Sequence, residues 1–136
     1  MLYYIPLEPY KERYTAVLSG KEGWFVQALN EEGVPHVRLE GESLRDTIKH
    51  GSVLDAPGRC YWALEQMKRI AKGFDTGAIR DGDVFYFEDM WHPGIEALAY
   101  MRHVMGKAVR IFTFCHAQSV DVYDFTHPMR KWMRPD

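Results

Sequence analysis

The sequence predicts a three-layer α/β domain: a mostly parallel sheet with helices on both faces. Three observations carry that expectation. Short β-branched and aromatic runs alternate with helix-period segments, in the order strand–helix–strand–helix–strand–helix–strand. The connections are a few residues long, as right-handed βαβ crossovers require. The strongest run, within "IRDGDVFYFEDM", has almost no polar interruption, as expected of a parallel strand covered on both sides.

Taken in order, "LYYIPLE" is a first strand closed by Pro6 and Pro9. In "YKERYTAVLSGKEGWFVQALNEEG" the second half puts Trp24, Phe25, Ala28 and Leu29 near helical spacing, with Gly33 as the stop. "VPHVRLEGES" is a short second strand, and Pro35 argues for a strand end or sheet edge. In "GSVLDAPGRCYWALEQMKRIAKGFDTG" the expected apolar stripe is Tyr61, Leu64, Met67 (or Lys68) and Ala71, ended by Gly73 and Gly77. "DVFYF" is the central strand. "HPGIEALAYMRHVMG" is the clearest helix, with Pro93 in its first turn and Ile95, Leu98, Ala99, Arg102 and Met105 on or beside one face. "KAVRIFTFCHAQ" is a further buried strand, followed by an irregular tail.

A chain of 136 residues fits one domain with a real core. Its net charge of −2 provides no basic field for nucleic acid. Cys60 and Cys115 lack CxxC spacing, which predicts two reduced, buried thiols in the cytoplasm. No apolar stretch approaches the ~18 residues of a membrane span, and "MLYYIPLEPYKERY" lacks the basic region of a signal peptide.

In an open α/β sheet, ligands bind beyond the carboxyl ends of the strands. That rule selects Pro6 and Glu8 after the first strand, Glu88, Asp89, Trp91 and His92 after the third, and Cys115, His116, Gln118 and Ser119 after the fourth. Glu88 and Asp89 are candidates for a general base or for accepting substrate hydroxyls. The competing structural roles are a helix cap for Asp89 and a solvated strand end for Glu88. His92 and His116 are candidates for an acid–base pair. No HxxxH or HxH spacing occurs, so no metal site is expected. His103 and His127 read as surface residues.

GxGxxG, GxxxxGK[ST] and GxSxG are all absent, which removes the dinucleotide fingerprint, the P-loop and the simplest hydrolase elbow. "LSGKEGW" reads as a plain turn. Arg130, Lys131, Trp132 and Arg134 in the tail read as a solvated helix face.

"DGDVFYFEDMWHPGIEALAYM", "RIFTFCHAQSVDVYDFT" and "RKWMR" resemble the amino-terminal half of phage-encoded glycosyltransferase-like proteins of the two-domain GT-B type. The resemblance spans roughly Gly51 to Arg134. It implies a Rossmann-like domain that holds the acceptor, with the nucleotide-sugar donor bound mainly by a second α/β domain in the same chain or in a partner protein. No further cofactor is implied. Asp89 and His116 would be the catalytic pair. Glu88, Trp91, His92, Gln118, Ser119 and Glu8 would bind substrate, a sugar or a modified base, and nucleic acid stays open as a partner. The expected location is the cytoplasm, that of the host for a phage protein. The rival expectation is a small, non-catalytic α/β binding or accessory protein, such as a phage inhibitor, using the same rim. A receiver-like domain is disfavoured because no acidic cluster follows the first strand.

Overall fold

The structure, a computed structural model, describes residues 1–9, 15, 18, 23–47, 55–116, 122–123 and 127. Its elements are β1 (Leu2–Ile5), α1 (Trp24–Glu31), β2 (His36–Arg38), α2 (Ala56–Asp75), β3 (Val84–Phe87), α3 (Ile95–Val104) and β4 (Arg110–Thr113). The four strands form one sheet in the order β2-β1-β3-β4. All three pairings are parallel, with Ile5 beside Phe87 and Phe87 beside Thr113. This is the α/β, Rossmann-like architecture the element order predicts. Pro35 stands immediately before edge strand β2.

Alternation along the strands sorts the side chains onto two covered faces. Ile5, Phe85 and Phe87 join Met67, Ile70 and Phe74 of α2 and Leu98 of α3 in one core, with Tyr3 packed against it. On the other face, Phe25 of α1 meets Tyr4 and Tyr86, with ring centroids 5.3 and 4.4 Å apart. Cover on both sides explains why β3 carries no regular polar alternation. Each fully buried Phe of this core contributes roughly 1.5–3 kcal/mol by leaving water.

The helix phases differ from the sequence expectation. In α2 the buried residues are Gly58, Trp62, Ala63, Gln66, Met67, Ile70 and Phe74. Tyr61 and Ala71 are exposed, and Leu64 is 69% exposed. Buried Gln66 hides the true stripe, and apolar Leu64 suggests a false one. Helix α1 buries Val26 and Leu29 and leaves Trp24 and Ala28 exposed. Helix α3 buries Leu98, with Ile95 and Met101 packed against the core, while Arg102 and Met105 are exposed. Pro93 lies ahead of α3, whose N-cap is Gly94.

The ends of the helices are set locally. Asp55 caps α2, its carboxylate accepting from the Gly58 amide at 3.2 Å and pairing with Arg45 at 3.0 Å. Gly33 and Gly77, with φ of 64° and 71°, supply the left-handed residue after α1 and α2. Helix α2 runs through Gly73, which packs on Ile79.

Two more expectations are corrected. Strand β4 is an edge strand rather than a buried one, and Phe112 and Phe114 are 52% and 48% exposed. An apolar run reads the same in a central and an edge strand, so the sheet order decides. Cys60 and Cys115 form no disulfide, and both are exposed rather than buried. Among the described residues, no helix is long and apolar enough to cross a membrane.

Candidate functional site

Parallel pairing in register brings residues 6–8, 88–92 and 114–116 to one carboxyl rim. At the end of β1, the Pro6 carbonyl accepts from Trp62 Nε1 at 3.0 Å and from Gln66 Nε2 at 2.8 Å. Helix α2 is thus tied to the mouth of β1. Glu8 is buried beyond it. Its Oε2 accepts from Arg59 Nε at 3.1 Å, and its Oε1 accepts from the Thr15 hydroxyl at 3.4 Å.

Glu88 is fully buried rather than solvated. Its side chain turns back to β1, accepting from the Leu7 amide at 2.8 Å and from the Tyr4 hydroxyl at 3.2 Å. This carboxylate clamps the first turn of the rim to β3, and charged acceptors make such bonds stronger than neutral ones.

The junction after β3 is a tight turn. Asp89 is buried, and its Oδ1 accepts from the Trp91 amide at 2.9 Å. The Asp89 carbonyl accepts from the His92 amide at 3.1 Å. Asp89 therefore does not cap α3. It shapes the loop as an Asx-type turn. Met90 N donates to the Phe114 carbonyl at 2.8 Å, joining this turn to the end of β4. Trp91 is half-buried at the turn's crest.

His92 is buried with both ring nitrogens engaged. Nδ1 accepts from the Gly94 amide at 3.0 Å, so the proton sits on Nε2 and is donated to Gln66 Oε1 at 2.9 Å. The Gln66 amide group gives its own protons to the Pro6 and Leu39 carbonyls, each at 2.8 Å. Burial, and then the nearby Arg59 charge, push the His92 pKa down to about 3. The imidazole is neutral and acts as a strut between the β3 turn and α2.

His116, half-buried, donates from Nε2 to the Glu88 carbonyl at 2.9 Å and lies against Phe114, with centroids 4.4 Å apart. That bond to a carbonyl requires the proton on Nε2. Gln118 and Ser119 lie outside the described residues, as do the tail residues Arg130, Lys131, Trp132 and Arg134.

The rim thus gathers Glu8, Glu88, Asp89, Trp91, His92 and His116. Sequence reasoning missed Arg59, Gln66 and Thr15. Gln66 had a readable signal, a polar residue in phase with Trp62, Ile70 and Phe74. Among the described residues, no group of three His, Cys, Asp or Glu side chains is arranged to hold a metal ion. Comparison with known protein families, with curated proteins and with solved structures returns no match.

Proposed function

We propose that this chain is the Rossmann-like, acceptor-side half of a sugar-nucleotide-dependent glycosyltransferase that works in the cytoplasm. A second α/β domain, in the same chain or in a partner, holds the nucleotide-sugar donor. A single observation carries this reading: an oriented imidazole, His116, and an aromatic side chain, Trp91, stand on one carboxyl rim beside buried carboxylates. A ring-shaped, hydroxyl-bearing acceptor suits that set. Trp91 stacks on its face, and the His116 imidazole orients the attacking hydroxyl or takes its proton. In this reading Asp89 positions Trp91 through the turn and does not itself touch the acceptor.

A specific observation favours a second reading, a non-catalytic binding module. The side chains of Asp89 and His92 are both engaged by the backbone of their own turn.

Nuclear magnetic resonance titration of the chain with glucose, deoxynucleosides and uridine diphosphate sugars tests the proposal. Binding of an acceptor sugar or nucleoside should shift the Trp91 indole and His116 ring signals. Silence of both to every sugar and nucleoside overturns the transferase reading and leaves the binding module.

A further inference from the structure

We propose that Arg59 is the recognition element of an anion site on this rim, and that it takes a phosphate or carboxylate group of the ligand. The inference is independent of glycosyl transfer, since either functional reading needs a ligand at the rim.

The argument begins with an incomplete pairing. The Arg59 side chain is only 11% exposed, and its Nε donates to Glu8, whose side chain is fully buried. A guanidinium carries five N–H donors. Among the described residues, that bond is the only hydrogen bond or ion pair of the Arg59 side chain. Among the described residues, both terminal nitrogens lack an acceptor. They form the planar edge that binds phosphate and carboxylate in a two-pronged manner.

Burying an ion pair of this kind contributes little net stability, because desolvation offsets the attraction. A purely structural role therefore gives a weak reason for placing it here, and the location gives a better one. Arg59 stands in the first turn of α2, where the helix dipole adds positive potential. Its partner Glu8 follows the end of β1, on the side of the sheet where α/β domains take ligands. The guanidinium also lowers the His92 pKa, so its field reaches the turn after β3. The cation is thus anchored beside the end of β1. Glu8 holds the guanidinium by Nε and leaves the terminal edge for the ligand.

Inorganic phosphate and acetate serve as probes, each titrated at constant ionic strength while the Arg59 Nε–H and the Glu8 and Arg59 amide signals are followed. Saturable shifts are expected, with affinity falling about tenfold or more in Arg59→Gln. Arg59→Lys keeps the charge but loses the fork, so a loss of several-fold is expected there, and this variant decides the matter should Arg59→Gln not fold. Glu8→Gln removes the competing charge and keeps an oxygen for Nε, so anion binding should be retained or tightened. Tighter binding of phosphate marks a phosphoryl ligand, and equal or tighter binding of acetate marks a carboxylate. Non-saturable shifts with both anions, or equal affinity in wild type and Arg59→Lys, overturn the proposal and leave a structural ion pair only.

Discussion

The Nε2–H of His92 donates to the side-chain oxygen of Gln66 at 2.9 Å, joining the turn after β3 to the middle of α2. Gln66 also ties down the Pro6 and Leu39 carbonyls, so one amide coordinates the mouths of β1, β2 and β3. Truncation to Gln66→Ala leaves His92 Nε2–H and the Leu39 carbonyl unpaired, while Pro6 keeps Trp62. The expected loss is about 2–4 kcal/mol, the sum of a cavity and two stranded polar groups. Urea unfolding measures it, and a loss below about 1 kcal/mol would mean that water replaces the amide without cost.

His92 also gives stability a pH dependence with a definite sign. Its ordinary value is 6.5 and its folded value about 3. Between them the unfolded chain binds a proton that the folded chain refuses. Stability is therefore complete above about pH 6.5 and falls as pH drops toward 3, with a slope approaching 1.4 kcal/mol per unit. Denaturation curves between pH 7 and 5 should show this slope in the wild type and a flatter one in His92→Gln. Equal slopes in the two proteins would remove His92 as the source.

The order of elements, the parallel sheet and the shared rim were legible because each depends on local chemistry: β-branched and aromatic runs, turn glycines and short connections. The phase of α2 was not. Leu64 is apolar and exposed while Gln66 is polar and buried, because Gln66 answers to the carbonyls of Pro6 and Leu39, more than twenty residues away. The same holds for the rim. Proximity of Glu8 and Glu88 to β1 followed from topology, but no local pattern distinguishes the buried Arg59 from a surface arginine. Nor could spacing show that His92 would be a strut.

Gly41 is a glycine for reasons of space. A methyl group there would overlap the Trp62 carbonyl and indole, which are held in place by the core and by the bond to Pro6. Gly41→Ala should cost about 1–3 kcal/mol as an overpacking change. Gly94 makes the useful contrast, because its added methyl meets the flexible end of Met67 at 2.7–2.8 Å. That thioether can rotate away, so Gly94→Ala should be the milder substitution. Thermal unfolding of the two variants side by side checks the order.

Asp89 allows charge and geometry to be separated at the junction after β3. Its Oδ1 accepts the Trp91 amide proton at 2.9 Å, and an asparagine oxygen can accept the same bond. Asp89→Asn should therefore keep the turn and remain within about 0.5 kcal/mol of wild type, whereas Asp89→Ala should lose about 1 kcal/mol or more. The fluorescence of Trp91, read as the difference from a Trp91→Phe background, should shift in the alanine variant only. In a two-domain transferase the same pair has a second readout. If Asp89 only positions Trp91, Asn retains transfer and Ala raises KM with little change in kcat. A large fall in kcat for Asn, with the fold and the Trp91 signal intact, would instead assign the carboxylate charge itself to catalysis.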